Sequence, residues 1–362
     1  MKITVLGGSI AGMACALRFQ KSGHSVRILE RRSFGSTGGF GMVVDTATTA
    51  SLQRLGISLQ NEMHAIGNYH VHDLSKNIQA HQLLNNCHGI ERQHLINKMR
   101  SALKPNTIVF DADFSHFAFD AEGHAKAAIL KDGRSFESDL FIAADGVRSS
   151  VRQKYFSGPD LNPVKSVEVV GISQFAETPT ELRGSFRKIL RSREGAAMGM
   201  VPTSNRRVVW YFQWDVRRWP EALLETSERN AWLNHELTSW PALVRKVVGQ
   251  NGFNRSHLWR TTDRDLPKRF HRGNIVLVGD AAHPLLTFTS QGVGSALEDG
   301  LILGDILEGI HPSSRDLLDQ CLDAFAAQRL PVLEQRLEGG RSLQRQFLGL
   351  ETPSINRVPV CA

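Results

Sequence analysis

The sequence predicts an α/β (α+β) protein. We expect a Rossmann-like domain with a parallel sheet, interleaved with a smaller antiparallel-sheet domain, and helices at the C-terminal end. Three short apolar runs, starting near Lys2, Leu140 and Asn274, indicate the parallel sheet, because each is followed by a glycine turn and a helical pattern. The antiparallel sheet is indicated by residues 163–259, where apolar and polar residues alternate in several short runs.

Composition limits the class of protein. With 362 residues, 41% hydrophobic and 22% charged, the chain is long enough for two globular domains. No apolar run approaches the roughly 20 residues that cross a bilayer, and no export signal precedes the first strand, so we expect a cytoplasmic protein without a membrane partner. Four scattered cysteines argue against zinc and for a reducing compartment.

The net charge of +7 favours small anionic ligands such as nucleotides and carboxylates. No nucleic-acid motif accompanies the basic clusters, which favours a solvated basic surface over nucleic-acid binding.

The first motif is a glycine-rich turn between two predicted strands. The strand Lys2–Leu6 leads into Gly7-Gly8-Ser9-Ile10-Ala11-Gly12 and a helix, and a second strand ends at Glu30. This is a dinucleotide fingerprint with an acid for the adenosine ribose, followed by Arg31. Ser9 stands where the second glycine is usual, and its hydroxyl is a further donor to a pyrophosphate. A plain Rossmann turn that binds no dinucleotide is the alternative.

A second strand and turn follow at Leu140–Ala143, with Asp145-Gly146 after the strand and a helix from Ser149. Because the carboxyl ends of parallel strands meet at one edge of a sheet, we expect this turn to converge with the first in one crevice.

The central region supplies candidates for a substrate pocket. In the run VVWYFQW, the side chains of Tyr211 and Gln213 share one strand face and those of Trp210 and Phe212 share the other. One face covers a core and the other roofs a pocket for an aromatic molecule, and the pattern does not say which is which. The candidate pocket residues are His70, His72, Met198, Tyr211, Gln213 and Thr287.

His70 and His72 alternate to one face of a strand-like stretch, but no third ligand stands at metal-site spacing. We therefore expect no metal. His70, His72 and Tyr211 are unranked candidates for a base that deprotonates a phenolic substrate, so no catalytic residue is assigned.

The third motif combines a strand, an acid and a helix start. The strand Asn274–Val278 is followed by Asp280, and the turn that contains Gly292, Val293 and Gly294 opens a helix to about Leu307. An acid and a helix N-terminus at one crevice suit a ligand with hydroxyls at one place and negative charge at another. A flavin fits, with its ribityl chain near Asp280 and its N1/C2=O edge at the backbone N–H groups. An ordinary βα unit is the alternative.

Together, GGSIAG with Glu30, ADGVRSSVR, and GDAAHPLLTFTSQGVGSALED resemble the single-component, class A flavoprotein monooxygenases, the p-hydroxybenzoate hydroxylase family. The resemblance implies FAD as cofactor. Its pyrophosphate would lie at residues 9–12, its adenosine ribose at Glu30 and its ribityl chain at Asp280. Arg92 would approach the phosphate and ribityl region, and residues 292–294 the pyrimidine edge of the ring. Asp145-Gly146 would serve both FAD and the nicotinamide nucleotide.

The resemblance also implies the reaction. NAD(P)H would dock transiently, reduce FAD and leave, and O2 would then form a flavin C4a-hydroperoxide that hydroxylates a small aromatic or heteroaromatic substrate. Many relatives have two prolines where this chain has Leu286-Thr287, which puts the detailed geometry of oxygen transfer in question. The alternatives are a flavin-dependent reductase or desaturase of the same fold, and a non-catalytic flavin-containing ligand-binding protein.

Two further expectations concern domains and the electron donor. Residues 1–68, 91–160 and 260–347 would form the FAD-binding domain, residues 69–90 and 161–259 the substrate domain, and residues 348–362 a tail. Arg31 and the basic cluster 183–193 lead to the hypothesis that NADPH is preferred over NADH.

Overall fold

The computed structural model describes residues 1–35, 40–59, 62–75, 77–191, 194–219, 225–250, 253, 256–310 and 314–351. The strands are β1 (Lys2–Leu6), β2 (Ser25–Leu29), β3 (Gly41–Val44), β4 (His64–Asp73), β5 (Ile78–Glu91), β6 (Ile108–Val109), β7 (Phe114–Phe119), β8 (Ala125–Leu130), β9 (Ser135–Glu137), β10 (Leu140–Ala143), β11 (Ser166–Gln174), β12 (Ser185–Arg191), β13 (Ala196–Pro202), β14 (Arg207–Asp215), β15 (His257–Thr261), β16 (His271–Arg272) and β17 (Ile275–Leu277). The helices are α1 (Ile10–Lys21), α2 (Thr46–Arg54), α3 (Arg92–Ala102), α4 (Ser150–Tyr155), α5 (Thr226–Glu236), α6 (Ala242–Gly249), α7 (Gly292–Ile306) and α8 (Arg315–Phe347).

The first sheet has the strand order β16-β17-β10-β1-β2-β6, and all of its neighbours are parallel except β16 and β17. Leu6, at the end of β1, is in register with Leu29 of β2 and with Ala143 of β10. Ala143 is in turn in register with Leu277 of β17. The turns that follow these four strands therefore leave the sheet at the same edge, which is where ligands bind in such folds.

The second sheet has the order β15-β11-β14-β13-β12-β4-β5-β3 and is antiparallel except between β12 and β4. Its two faces are covered differently. Helices α5 and α6 cover one face, which buries Trp210, Phe212 and Trp214 together with Trp240 and Val244. Because successive side chains of a strand point to opposite faces, Tyr211 and Gln213 lie on the other face.

Helices α1 and α7 cross closely beside the first sheet. A Cβ on Gly300 of α7 would lie 2.7 Å from the backbone nitrogen of Cys15 in α1, so a larger residue would force the helices apart. Both helices bury apolar side chains in the same core as Val5, Ile142 and Val276 of the sheet. This packing fixes the N-termini of α1 and α7 relative to the carboxyl edge of the sheet.

The predicted fold class is confirmed, with two corrections at the level of elements. The strand-like stretch between Gly67 and Leu84 belongs to two strands, β4 and β5, which form a hairpin. The sequence pattern predicts that the stretch from Trp219 to Val248 is mostly helical. It is divided into α5 and α6, and residues 220–224 lie outside the described residues. Of the predicted tail, residues 352–362 also lie outside the described residues.

Candidate cofactor and substrate site

The glycine turn after β1 opens directly onto the N-terminus of α1. Gly7 has φ +109°, and a Cβ on Gly12 would lie 1.9 Å from the carbonyl oxygen of Gly7, so both positions require glycine. Ser9 is the N-cap of α1, but its side chain does not cap the helix, and the first turn contains no acidic residue. The free N–H groups of this turn and the helix dipole suit a phosphate.

Arg92, the first residue of α3, contacts the Ser9 side chain, which does not cap its own helix. The Arg92 guanidinium donates to Oγ of Ser9 at 2.7 Å. Burial lowers the pKa of Arg92 and Arg32 adds to this effect, whereas Asp280 opposes it. A cation therefore lies at the mouth of the glycine turn, and it interacts electrostatically with the acid of the third motif.

Glu30 follows β2 and is held by backbone donors. Its Oε2 accepts from the N–H of Gly8 at 2.7 Å, and its Oε1 accepts from the N–H of Arg32 at 2.9 Å. These bonds place the carboxylate beside the glycine turn, and its role toward an adenosine ribose stays a prediction. Arg31 is exposed next to it, and its role toward NADPH stays a prediction.

Asp145 lies after β10 and has one bonded and one unbonded carboxylate oxygen. Oδ2 accepts from the N–H of Ser150 at 2.8 Å, which satisfies a donor at the start of α4. Among the described residues, nothing hydrogen-bonds to the buried Oδ1. Gly146 has φ +85° and open space where a Cβ would point. A buried acceptor beside an open glycine is a place where a ligand hydroxyl or amide would bind.

Asp280 stands at the exit of β17 on the wall of the same crevice. Gly279 precedes it with φ +57°, and a Cβ there would lie 2.7 Å from Cβ of Ala11 in α1, which shows how closely the two turns approach. Asp280 is exposed to solvent yet densely surrounded by protein atoms, as expected for a cleft wall. Loss of hydration raises its pKa and Asp299 adds to this, while His283 and Arg92 act in the opposite direction.

Gly292, Val293 and Gly294 form the first turn of α7, which has no acidic residue and no side-chain cap among the described residues. Ser290, just before it, has a left-handed φ of +54°. A non-glycine residue in this conformation costs on the order of 1 kcal/mol and is retained when the surrounding structure demands it. The backbone N–H groups of α7 are thus presented to the crevice without a protein acceptor.

A buried ionic network behind Asp280 was not found by the sequence analysis. Asp299 of α7 accepts from Gly279 N–H at 2.7 Å and contacts Nε2 of His283 at 2.6 Å and Nε of Arg329 at 2.7 Å. The side chains of Asp299, His283 and Arg329 are at most 2% exposed. This network attaches the turn after β17 to α7 and α8, and it therefore positions both Asp280 and the α7 N-terminus. Its only sequence signal was the pair of charged residues in the apolar pattern of α7.

Arg152, in the second motif, links that motif to the third. It is 3% exposed, and it donates to the carbonyl oxygens of Ala282 at 2.5 Å and of Asp265 at 3.2 Å. Burial, aided by Arg264, lowers its pKa to about 10, so the guanidinium stays charged at neutral pH.

The predicted substrate residues do not all share one face of the second sheet. Met198 is fully buried in the core beneath α5 and α6. His70 and His72 of β4 lie on that same face. They are paired with Arg187 and Ile189 of β12, which are in turn paired with Met200 and Met198 of β13. Their place in a pocket with Tyr211 and Gln213 is therefore wrong. The strand alternation was correct, but it does not tell which face is which.

The face that carries Tyr211 and Gln213 contacts the segment between Asp280 and α7. Glu168 of β11, 7% exposed, accepts at Oε1 from Gln213 at 2.6 Å and from Oγ1 of Thr287 at 2.5 Å. Burial raises the pKa of Glu168, although Thr287 and Lys188 oppose this. Glu168 and Lys188 were missed by the sequence analysis, because a single charged residue in a strand usually indicates a solvated face.

Other clusters lie away from this crevice. A cavity of about 700 Å³ is bordered by His64, Arg183 and Arg206, and none of its lining residues belongs to the motifs described above. His271, Asp319 and Asp323 come close enough to hold a metal ion, but Arg269 already pairs with both aspartates. Within the described ranges, no helix is long and apolar enough to cross a membrane.

The residues of the crevice fit FAD. The uncapped α1 and α7 N-termini suit the pyrophosphate and the electron-rich edge of the ring, and the unbonded Asp145 oxygen and the cleft-wall Asp280 suit hydroxyl groups. A family model described as FAD binding domain matches residues 1–339, so the chain belongs to this family of FAD-binding proteins. This confirms the resemblance to the class A flavoprotein monooxygenases.

Relatives place the chain more narrowly. Monooxygenase 1 of Arabidopsis thaliana is 24% identical over 365 residues, which cover 94% of this chain and 90% of the relative. The 6-hydroxynicotinate 3-monooxygenase of Pseudomonas fluorescens is 24% identical over 359 residues, with 92% and 89% covered. The structure of Klebsiella pneumoniae HpxO complexed with FAD and uric acid aligns with a TM-score of 0.84 and 20% identity, covering 96% and 89%. The protein is an FAD-dependent monooxygenase.

Proposed function

We propose that this enzyme uses NAD(P)H and O2 to hydroxylate a small aromatic or heteroaromatic substrate. The observation that carries the proposal is the contact between Thr287 and Glu168, 2.5 Å from Oγ1 to Oε1. The segment that connects Asp280 to α7 thereby touches the second sheet, so a cofactor held by the first sheet borders one face of the second. When bound, FAD supplies the redox chemistry, accepting electrons from the nicotinamide nucleotide and activating oxygen.

The residues of the crevice divide the work of binding. The N-terminus of α1 and Arg92 would neutralise the pyrophosphate, Glu30 would accept from the adenosine ribose, and Asp280 would accept from the ribityl hydroxyls. The N-terminus of α7 would stabilise negative charge that develops at the pyrimidine edge of the ring, because a helix dipole and free N–H groups favour negative charge. Asp145 and Gly146 would contact FAD or the nicotinamide nucleotide.

The second sheet would bind the substrate. Tyr211, Gln213, Glu168 and Lys188 are polar groups on a face whose neighbouring side chains, such as Val71, are apolar. Burial raises the pKa of Tyr211 well above 10, with Tyr69 and Glu168 adding to this. Tyr211 therefore stays a neutral phenol, which can donate a hydrogen bond but cannot act as a base at neutral pH.

The relatives support oxygen transfer to an aromatic ring. The Pseudomonas fluorescens relative is named for 6-hydroxynicotinate, and the Klebsiella pneumoniae structure contains uric acid. The first name describes a monooxygenase, and both names contain a heteroaromatic compound. This favours aromatic hydroxylation over a reductase, a desaturase or a non-catalytic binding protein.

The decisive experiment measures product rather than NAD(P)H consumption alone. Purified holoenzyme is incubated with NADPH or NADH, labelled ¹⁸O2 and a panel of hydroxylated aromatic and heteroaromatic acids, in parallel with and without catalase. Peroxide is measured, and organic products are analysed by mass spectrometry. We expect a product that carries one ¹⁸O atom. Rapid substrate-dependent oxidation of NAD(P)H that yields only peroxide or a dehydrogenated product, over the whole panel, would overturn the proposal in favour of the alternatives.

Two accompanying proposals concern domains and compartment. We keep the predicted domain division as a proposal. One feature differs from it: β3 and the first residues of β4, which were assigned to the FAD-binding domain, pair within the second sheet.

For the compartment we propose the cytoplasm. The free thiols of Cys15 and Cys321 support this location, whereas the disulfide bond of Cys87 counts against it. Thiol titration of freshly isolated, denatured protein tests this proposal. A reducing compartment predicts a reactive thiol at Cys87, whereas an oxidised Cys87 would count against the cytoplasm.

A further inference from the structure

We propose that Lys188 binds an anionic oxygen of the substrate, so that the enzyme selects aromatic compounds carrying a carboxylate or an acidic hydroxyl. The inference rests on the proposed function, because it assumes that the cofactor-facing side of the second sheet is the substrate site. Lys188 was not among the residues indicated by the sequence.

The position of Lys188 follows from strand register. Lys188 of β12 lies opposite Val71 of β4 on one side and Gly199 of β13 on the other. Gly199 lies opposite Tyr211 of β14, which in turn lies opposite Val170 of β11. Registered partners point to the same face, so Lys188 and Tyr211 share the face that contacts Thr287 through Glu168.

Lys188 is a cation without a bonded protein acceptor. In the part of the chain that the structure describes, its side chain takes part in no hydrogen bond or ion pair. Glu168 attracts it electrostatically but lies beyond ion-pair distance, and Oε1 of Glu168 already accepts from Gln213 and Thr287. Burial lowers the pKa of Lys188, with Glu168 opposing. Lys188 is half-buried, and a cation held among protein atoms at such a cost is retained where a ligand anion completes it.

Tyr211 provides a second donor at the same place. A Cβ on Gly199 would lie 2.1 Å from the Tyr211 ring and 2.5 Å from its hydroxyl oxygen, so the ring lies flat across Gly199. The phenol thus reaches from β14 over β13 toward the strand that carries Lys188. An ammonium and a neutral phenol side by side match the acceptors of a carboxylate or phenolate.

Glu168 gives the pocket polarity. It is two residues from Val170 along β11, on the same face, and it contacts the segment that leads to α7. The ionised Glu168 would repel an anion, whereas Lys188, on the other side of Tyr211 across the same sheet face, would attract one. The two charges therefore orient an anionic aromatic molecule with its acidic group toward β12.

The test compares isosteric ligands that differ in charge. Holoenzyme is titrated with benzoate, salicylate and nicotinate and with the corresponding amides, and binding is followed by the change in flavin absorbance. For at least one pair we expect the acid to bind more tightly than the amide by about tenfold or more. Lys188→Met should abolish that preference while it changes the affinity for the amide by less than about threefold. Lys188→Arg should restore part of it.

The controls separate this role from a structural one. Lys126→Met removes an exposed lysine from β8 and should leave the preference unchanged. If the Lys188→Met variant retains no flavin, the Lys188→Gln variant is used instead. Glutamine has a similar volume and is a neutral hydrogen-bond donor. Equal affinities for acid and amide in the unaltered enzyme, in all three pairs, would overturn the inference, and so would a preference that survives in the Lys188 variant.

Failure of this inference and failure of the proposed function give different results. If the unaltered enzyme shows no preference for the acid but still forms an ¹⁸O-labelled product, only the role of Lys188 is refuted. If the preference for the acid depends on Lys188 but no compound of the panel gives a labelled product, the anion site is supported. The proposal of oxygen transfer is then refuted.

Discussion

The guanidinium of Arg92 donates to the hydroxyl of Ser9 at 2.7 Å, although the two residues are 83 positions apart in the chain. Ser9 occupies the position of the second glycine of the dinucleotide turn, and its side chain does not cap α1. The result is an anion site made of two parts, the free N–H groups of α1 and a nearby fixed cation.

Replacement of Arg92 tests this anion site. Arg92→Ala should raise the Kd for FAD by about tenfold to a hundredfold, because a charge-assisted contact to the cofactor phosphate is lost. The measurement is fluorescence titration of apoprotein with FAD. Lys98→Ala, on the same helix and paired at the surface with Glu62, is the matched control and should bind FAD normally. Equal Kd values for both variants would contradict the assignment of Arg92.

Asp280→Asn should have opposite effects on binding and on stability. The asparagine accepts ribityl hydroxyls less strongly than a carboxylate does, so FAD affinity should fall by about tenfold. Because the pKa of Asp280 is raised above 3.8 in the folded apoprotein, ionisation opposes folding, and the wild type loses stability as the pH rises through that pKa. The neutral variant avoids this loss.

The measurement for Asp280→Asn is denaturant unfolding of the apoprotein across a pH series, together with FAD titration. We expect the variant to be more stable than the wild type at pH 7, with a difference that shrinks as the pH falls toward 3.8. A variant that is less stable at every pH would show that the carboxylate is stabilised by its surroundings, contrary to our interpretation.

Arg329→Met should destabilise the protein strongly because it leaves Asp299 buried without its arginine partner. Removing one partner of a buried pair costs about 3–5 kcal/mol of unfolding free energy. Arg345→Met, which removes a surface ion pair on the same helix, should cost at most about 1 kcal/mol. Both values come from denaturant unfolding. Similar costs for the two variants would mean that the network around Asp299 does not stabilise the fold.

The same network predicts a pH dependence. Burial alone would raise the pKa of Asp299, but His283, Arg329 and the Gly279 N–H outweigh burial and lower it below 3.8. A lowered carboxyl pKa contributes stability that is complete above pH 3.8 and is lost as the pH falls through the folded-state value. Asp299→Asn should therefore lose this contribution near neutral pH, and the gap to the wild type should narrow only below about pH 4.

Gly199→Ala tests the placement of Tyr211. The new methyl group would overlap the Tyr211 ring, so the ring must move, at a cost of about 1–3 kcal/mol and with weaker binding of aromatic acids. Gly67→Ala in β4 has open space at its Cβ and serves as the control, with a change within about 0.5 kcal/mol. Thermal unfolding and benzoate titration distinguish the two. Unchanged benzoate binding in Gly199→Ala would place the ligand elsewhere.

Much of the cofactor site was readable from local patterns. The turn Gly7–Gly12, the acid Glu30 and the third motif each lie within a strand–turn–helix unit, so their relative placement is fixed by a short stretch of chain. Their convergence followed from the rule that parallel strands end at one edge, and the registers of β1, β2, β10 and β17 agree with it.

What the sequence by itself determined is the set of strand–turn–helix units, the alternation in VVWYFQW and the family. Only the tertiary structure decided which sheet face borders the cofactor segment, and hence that His70, His72 and Met198 lie away from Tyr211. It also decided the pairings of Arg92 with Ser9, Glu168 with Thr287 and Asp299 with Arg329. The physical reason is that periodicity acts over a few neighbouring residues, whereas these contacts depend on how distant segments pack against one another.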